Sequence, residues 1–143
     1  MPDVISNFFV KTLVNSPLHP LLGKTFAVIT VTGRRSGKPI STPINVLDVN
    51  GTPTVVSMRD RKWWRNLRGG NEASLSQAGK RLRVRGELVE TPAEVAAGMT
   101  AYFALHPNYA KYFQVSLGPD GKPVQAELER LAGERVLIHL IPV

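Results

Sequence analysis

The spacing of apolar positions changes several times along the chain. Residues 3–14, DVISNFFVKTLV, set Val4, Ile5, Phe8, Phe9 and Leu13 at intervals of one, three and four, which predicts an amphipathic helix. Pro17 and Pro20 break it. Residues 25–32, TFAVITVT, are short and β-branched, as in a buried strand, and run into the polar turn GRRSGKP. STPINVLDV (41–49) reads as the next strand, Asn50-Gly51 as a hairpin turn, and PTVVSM (53–58) as its partner. RKWWRNLRGG (61–70) suits a short helix stopped by Gly69-Gly70.

EASLSQAGK and RLRVRGELVE read as two strands joined around Gly79. In the second, Leu82, Val84, Gly86 and Leu88 alternate with Arg81, Arg83, Arg85 and Glu87, so one face points inward and the other is cationic. Thr91-Pro92 with Glu94 is a helix start, and the helix runs from about 92 to 105, before Pro107. NYAKYFQVSL is helical or irregular, GPDGKP (118–123) a turn-rich loop, VQAELERLAG a short helix and RVLIHLI a closing strand. About six mostly antiparallel strands with three or four short helices predict a small antiparallel barrel or α+β domain rather than a doubly wound sheet. The length of 143 residues suits one domain, 1–143.

Composition narrows the chemistry. Without cysteine there is no disulfide, thiolate catalysis or cysteine-held metal, and His19, His106 and His139 are too scattered to ligate one. No carboxylate pair and no G-x-S-x-G appears, so hydrolysis lacks support. No segment reaches 18 uninterrupted apolar residues, and the N-terminus has no cationic leader, which together predict a cytoplasmic protein. Phe8 and Phe9 on helix 3–14 leave open a peripheral membrane contact, although the polar face carries only Asp3 and Lys11. Packing against the barrel or a second subunit in a homodimer suits that face better.

The net charge of +7 is uneven: residues 34–85 hold twelve basic and three acidic side chains, leaving −2 for the rest. Nucleic acid, an anionic surface or a phosphorylated small molecule would each answer such a block. No recognition helix accompanies it, so nucleic-acid binding is not expected. TVTGRRSGKP (30–39) offers Gly33 and Gly37 for a backbone anion nest, with Arg34, Arg35 and Lys38 for charge and Thr32 and Ser36 for hydroxyls. Lys38 precedes Pro39, so this is not a nucleotide triphosphatase loop. In SMRDRKWWRNL (57–67) adjacent tryptophans cannot face one way on a helix, so one packs inward and the other meets solvent, a loop or a ligand. Arg65 and Asn66 are candidate polar contacts. Tyr102, Tyr109 and Tyr112 form a third cluster, and Tyr109 and Tyr112, three apart, present phenols to a cleft or pack as rim residues.

The two motifs TVTGRRSGKPISTPI (30–44) and KWWRNL (62–67) resemble those of the deazaflavin-dependent nitroreductase family, and the order of the other elements extends the likeness over residues 15–143. The resemblance implies a split β-barrel, related to flavin-binding barrels, with short peripheral helices. It implies hydride transfer from a reduced 8-hydroxy-5-deazaflavin coenzyme to a small electron-poor acceptor: a quinone, nitroaromatic or activated alkene. By motif, Thr32, Gly33, Arg34, Arg35, Ser36, Gly37 and Lys38 would hold the phosphate and anionic tail, and Thr42 and Pro43 continue the binding strand. Ser57 and Met58 would approach the ring, and Trp64, Asn66 and Leu67 would shape the pocket. Tyr109 and Tyr112 would line the acceptor side as catalytic phenols. The chain departs from the family where an arginine usually follows the loop proline (here Ile40-Ser41), where a Gly-Gly is replaced by Met58-Arg59-Asp60, and at the second tryptophan. An FMN-binding reductase and a non-catalytic ligand-binding barrel therefore stay open.

Overall fold

A computed structural model describes residues 25–143; the helix expected at 3–14 lies outside the described residues. Seven strands form one antiparallel sheet: β1 (Phe26–Thr32), β2 (Pro39–Asn45), β3 (Leu47–Val49), β4 (Thr52–Met58), β5 (Glu72–Gln77), β6 (Lys80–Val89) and β7 (Arg135–Pro142). Their order is β2-β1-β5-β6-β7-β4-β3, and the sheet curls into a half-barrel. This is the split β-barrel that the resemblance implies.

The seventh strand comes from a division within 41–49. Val46 leaves the ladder, its N–H donating to the Thr25 carbonyl at 2.7 Å, and β3 then pairs, among the described strands, only with β4. Asn50 and Gly51, with φ of 53° and 86°, make the tight turn between them. The β5–β6 turn needs the same left-handed geometry, and Ala78 adopts it at φ 51°.

Period-two alternation sends Ile29, Leu75, Val84, Val55 and Ile138 to the concave face. A 3-10 turn, Trp63–Leu67, drops across this face and plugs it. Trp64 is 1% exposed and Leu67 fully buried, so truncating Trp64 to alanine costs about 3–5 kcal/mol. Close approach of the plug sets the residue beneath it: a Cβ on Gly86 would meet Leu67 Cδ1 at 2.8 Å. Leu82, expected to face inward, is 51% exposed because it lies toward the Ala78-Gly79 end of β6.

The convex face is covered over β3, β4 and β7. Helix α1 (Pro92–Leu105), a 3-10 segment (Pro107–Phe113) and helix α2 (Gln125–Glu134) pack Met99, Phe103 and Leu131 against Leu47 and Leu137. Thr91 caps α1, its hydroxyl donating to Glu94 Oε1 at 2.7 Å and accepting from the Glu94 N–H at 3.4 Å. His106 ends the helix and ties it to β3 by donating from Nε2 to the Asp48 carbonyl at 2.7 Å. His139 contacts the Thr54 hydroxyl at 3.1 Å. Both histidines serve the fold, and the described residues hold no cluster of metal-ligating side chains. No described helix is long and apolar enough to cross a membrane.

Candidate active site

Among the described residues, two cavities are walled by polar and aromatic side chains of the Trp63–Leu67 turn, and a third touches it only at Leu67. One, of about 420 Å³, lies between the β1–β2 loop (Gly33, Arg34, Arg35, Ser36) and the turn (Lys62, Arg65, Asn66). The other, of about 360 Å³, opens between β2 and β4 and beneath the tyrosine segment. Trp63 belongs to the second, Asn66 and Arg65 to the first, so one 3-10 turn supplies a wall of each.

The β1–β2 loop is held by its own backbone. Gly33 N–H donates to the Lys38 carbonyl at 2.8 Å, Gly37 N–H to the Gly33 carbonyl at 2.9 Å, and Lys38 N–H to Ser36 Oγ at 3.2 Å. Arg34 N–H donates to Asn66 Oδ1 at 2.8 Å. Four of the loop's N–H groups, including those of both glycines, are therefore engaged within the protein, so the glycine N–H groups do not form the anion nest their spacing suggests. The glycines serve the turn itself: Gly37 sits at φ 70°, and a Cβ on Gly33 would lie 2.7 Å from Ser36 Oγ. The side chains of Arg34, Arg35, Lys62 and Arg65 bring four cations to the wall of one cavity.

Asn66 is the joint. It is buried, its Oδ1 receives the loop, and its Nδ2 donates back to the Trp63 carbonyl at 3.1 Å and the Lys62 carbonyl at 3.4 Å. Trp63 donates from Nε1 to Ser57 Oγ at 3.2 Å, linking the turn to β4 in the second cavity. Trp64 points into the core, its ring flanked by the guanidinium carbons of Arg65 and Arg68, each 5.4 Å from the centroid.

Thr42 and Pro43, expected to continue the phosphate-binding strand, Ser57 and Met58, expected at the ring, and Tyr109 and Tyr112, expected on the acceptor side, all line the second cavity. Gly33, Arg34, Arg35, Ser36 and Asn66 line the first. Thr32, which ends β1, and Gly37 and Lys38 of the loop line neither cavity; Trp64 and Leu67 are core residues, and the indole at the second cavity is that of Trp63. Sequence reasoning passed over Arg61, Phe113 and Arg135 as wall residues. Arg61 stood within the cationic block and was available to it; Arg135 opens β7, and only the β4–β7 register sets it opposite Met58.

The tyrosines stack edge to face, Tyr102 on Tyr109 at 6.4 Å and Tyr109 on Tyr112 at 5.8 Å between centroids. Tyr102 also reaches the cavity wall, and burial raises its phenol pKa well above the ordinary value, with a smaller push from Tyr109. It stays protonated at any pH near neutrality.

A family model described as F420H(2)-dependent quinone reductase matches residues 9–118. The chain belongs to that family. It is a family of deazaflavin-dependent reductases, in keeping with the oxidoreductase expectation. Comparison with curated proteins gives no match. Among solved structures, the chain is similar to a conserved protein from Mycobacterium tuberculosis at 13% identity and a TM-score of 0.57, covering 89% of this chain and 80% of that one. A candidate 5-nitroimidazole antibiotic resistance protein from Bacteroides thetaiotaomicron matches at 14% identity and 0.54, covering 90% and 80%. A protein of unknown function from Agrobacterium tumefaciens matches at 19% and 0.53, covering 89% of this chain, which spans 55% of that one. At these identities the structural likeness carries the fold alone.

Proposed function

We propose that this chain transfers a hydride from a reduced 8-hydroxy-5-deazaflavin coenzyme to a quinone. The observation that carries the reading is the pair of cavities sharing the Trp63–Leu67 turn, one cationic and one lined by hydroxyls and phenols. The residues fit the two ends of such a cofactor. Arg34, Arg35, Lys62 and Arg65 would hold its phosphate and acidic tail, while Thr42, Ser57 and Met58 would border its ring. FMN shares the ring and the phosphate, so the cavities alone do not choose; family membership favours the deazaflavin.

When bound, the reduced deazaflavin supplies a hydride from C5 as a two-electron donor. The protein orients and shields. Asn66 fixes the loop that carries Arg34, and the Trp63 indole, fixed by Ser57, keeps the cavity wall in place. Quinone reduction needs one hydride and one proton, and charge develops on the carbonyl oxygen as the hydride arrives. The phenols of Tyr102, Tyr109 and Tyr112 line the cavity where that oxygen would sit and can donate hydrogen bonds to it.

Side-by-side fluorescence titrations with the deazaflavin coenzyme and FMN, followed by mixing the reduced deazaflavin complex with a quinone, test the reading. Deazaflavin binding with oxidation of the reduced coenzyme by quinone supports it. Binding of FMN alone moves the chain to the FMN-using reading. Deazaflavin binding without oxidation by any quinone, nitroaromatic or activated alkene leaves a carrier.

A further inference from the structure

The second cavity carries two cations in its wall, which hydride transfer to a neutral quinone does not require. Arg61 and Arg135 both line it. Arg135 is half-buried at the start of β7, its guanidinium carbon 5.1 Å from the centroid of Phe113, another wall residue. Its Nε is buried and makes no hydrogen bond. No carboxylate among the described residues forms an ion pair with either arginine. Neighbouring Arg59 shows the contrast: its Nε and Nη2 donate to the carbonyls of Glu90, Ala132, Gly133 and Arg135 and tie it to the fold.

Burial is the largest influence on Arg135 and holds its pKa below the ordinary arginine value. Glu134 and Asp60 act on it favourably and Arg130 unfavourably. A partly desolvated guanidinium with unused donors is an unfavourable state that a bound anion relieves. The cofactor's own phosphate and tail do not supply that anion, because four cations already surround the other cavity across the turn. Arg135 stands with Tyr109, Tyr112 and Phe113, on the acceptor side.

We propose that the acceptor taken by this cavity carries an anionic group on its electron-poor ring, a carboxylate or sulfonate, received by Arg135, with Arg61 adding charge from the wall of the same cavity. The proposal deepens the reductase reading and rests on its placing the acceptor at the phenols of this cavity, beside the cofactor ring at Thr42, Ser57 and Met58. It adds a charge requirement: the ring lies among the phenols and the anion reaches the arginines.

Trp63 lines the cavity, so tryptophan fluorescence of the full chain reports binding without any cofactor. The probes are a naphthoquinone sulfonate and uncharged naphthoquinone. The wild type is expected to bind the sulfonate roughly ten-fold more tightly, the scale of one charge-assisted hydrogen bond. Arg135→Gln should erase the preference without changing binding of uncharged naphthoquinone, and Arg135→Lys should keep part of it. Lys80→Gln, the same loss of charge at an exposed position on β6, should leave the preference intact. Equal affinities in the wild type, or a preference that survives Arg135→Gln, overturns the proposal. If Arg135→Gln does not fold, Arg61→Gln decides, since this exposed residue should cut the preference about three-fold; an unchanged preference then overturns it. Turnover with reduced deazaflavin separates the two readings. Anion preference without deazaflavin binding refutes the reductase reading alone, while deazaflavin turnover of both quinones with equal KM refutes the anion requirement alone.

Discussion

Asn66→Ala tests whether the two cavities depend on a single joint. The substitution removes an acceptor for Arg34 N–H at 2.8 Å and a donor to the Trp63 carbonyl at 3.1 Å; the 3.4 Å contact to Lys62 is too long to weigh much. Two hydrogen bonds at about 1 kcal/mol each give roughly 2 kcal/mol of lost stability, near 6 °C in Tm for a domain of this size. The effect on cofactor binding is separate. The β1–β2 loop keeps its own turn bonds, Gly33 to Lys38 and Gly37 to Gly33, so only the backbone near Arg34 is released. Reordering about one residue on binding costs about 1–2 kcal/mol, or roughly ten-fold in affinity. Urea denaturation measures the first quantity and fluorescence titration of the folded variant with deazaflavin the second. A stability loss with unchanged affinity would refute the joint, because it would make Asn66 a packing residue whose bond to the loop has no bearing on the site. Asn66→Asp sharpens the test: it keeps the acceptor for Arg34 but sets a carboxylate against the Trp63 carbonyl, so it should destabilise the turn while disturbing the loop less than alanine does.

Three further outcomes follow from the same geometry. Arg34→Ala with Arg35→Ala should weaken deazaflavin binding by about 100-fold or more, two charge-assisted contacts, while both exposed positions leave the urea midpoint unchanged; equal affinity removes the phosphate role. Gly86→Ala should cost about 1–3 kcal/mol in urea denaturation by driving Leu67 off its site, with no such loss from Gly133→Ala, where an added Cβ meets nothing within 4 Å. Tyr102 binds its proton more tightly in the folded than in the unfolded chain, so its contribution to stability is whole below the ordinary tyrosine pKa of about 10 and is lost as pH rises above it. Tyr102→Phe should therefore flatten the alkaline fall in stability, and a fall identical to wild type would show that this phenol is not protected.

The strands were legible because period-two alternation and Asn50-Gly51 are local signals, and so was α1, whose cap and stop are written at Thr91-Pro92 and Pro107. The break between β2 and β3 was not. Val46 continues the apolar run, and only its long-range bond to Thr25 takes it out of the ladder. The tryptophan pair was half legible. Helical geometry separates the two indoles, and they do differ, yet both are buried: Trp64 fills the barrel and Trp63 meets a cavity wall. Motif reasoning had chosen Trp64 for the pocket, because nothing local says which side of the plug will face β4. Arg135 was illegible for the same reason, since its place depends on pairing with a strand some eighty residues earlier.

The charge block shows how far composition goes. Its twelve cations suggested one anionic partner, but the structure divides them. Arg59 is bound to carbonyls, Arg68 to Glu90 and Arg83 to Glu72, and Arg81 has a partner of its own. Arg34, Arg35, Lys62 and Arg65 gather at one cavity, Arg61 turns to the second, and Arg68 and Arg85 face Glu87 and Glu90 around a third. A nucleic acid would draw on the whole exposed stripe of β6, with affinity falling steeply as salt displaces many contacts. A small anion drawing on four cations, one of them pinned through its backbone by Asn66, should show a shallow salt dependence and a strong dependence on which arginine is removed. That contrast separates the readings in a way net charge cannot. Binding that falls steeply with salt and responds equally to Arg34→Ala and Arg83→Ala would mean the block acts as a surface, not a site.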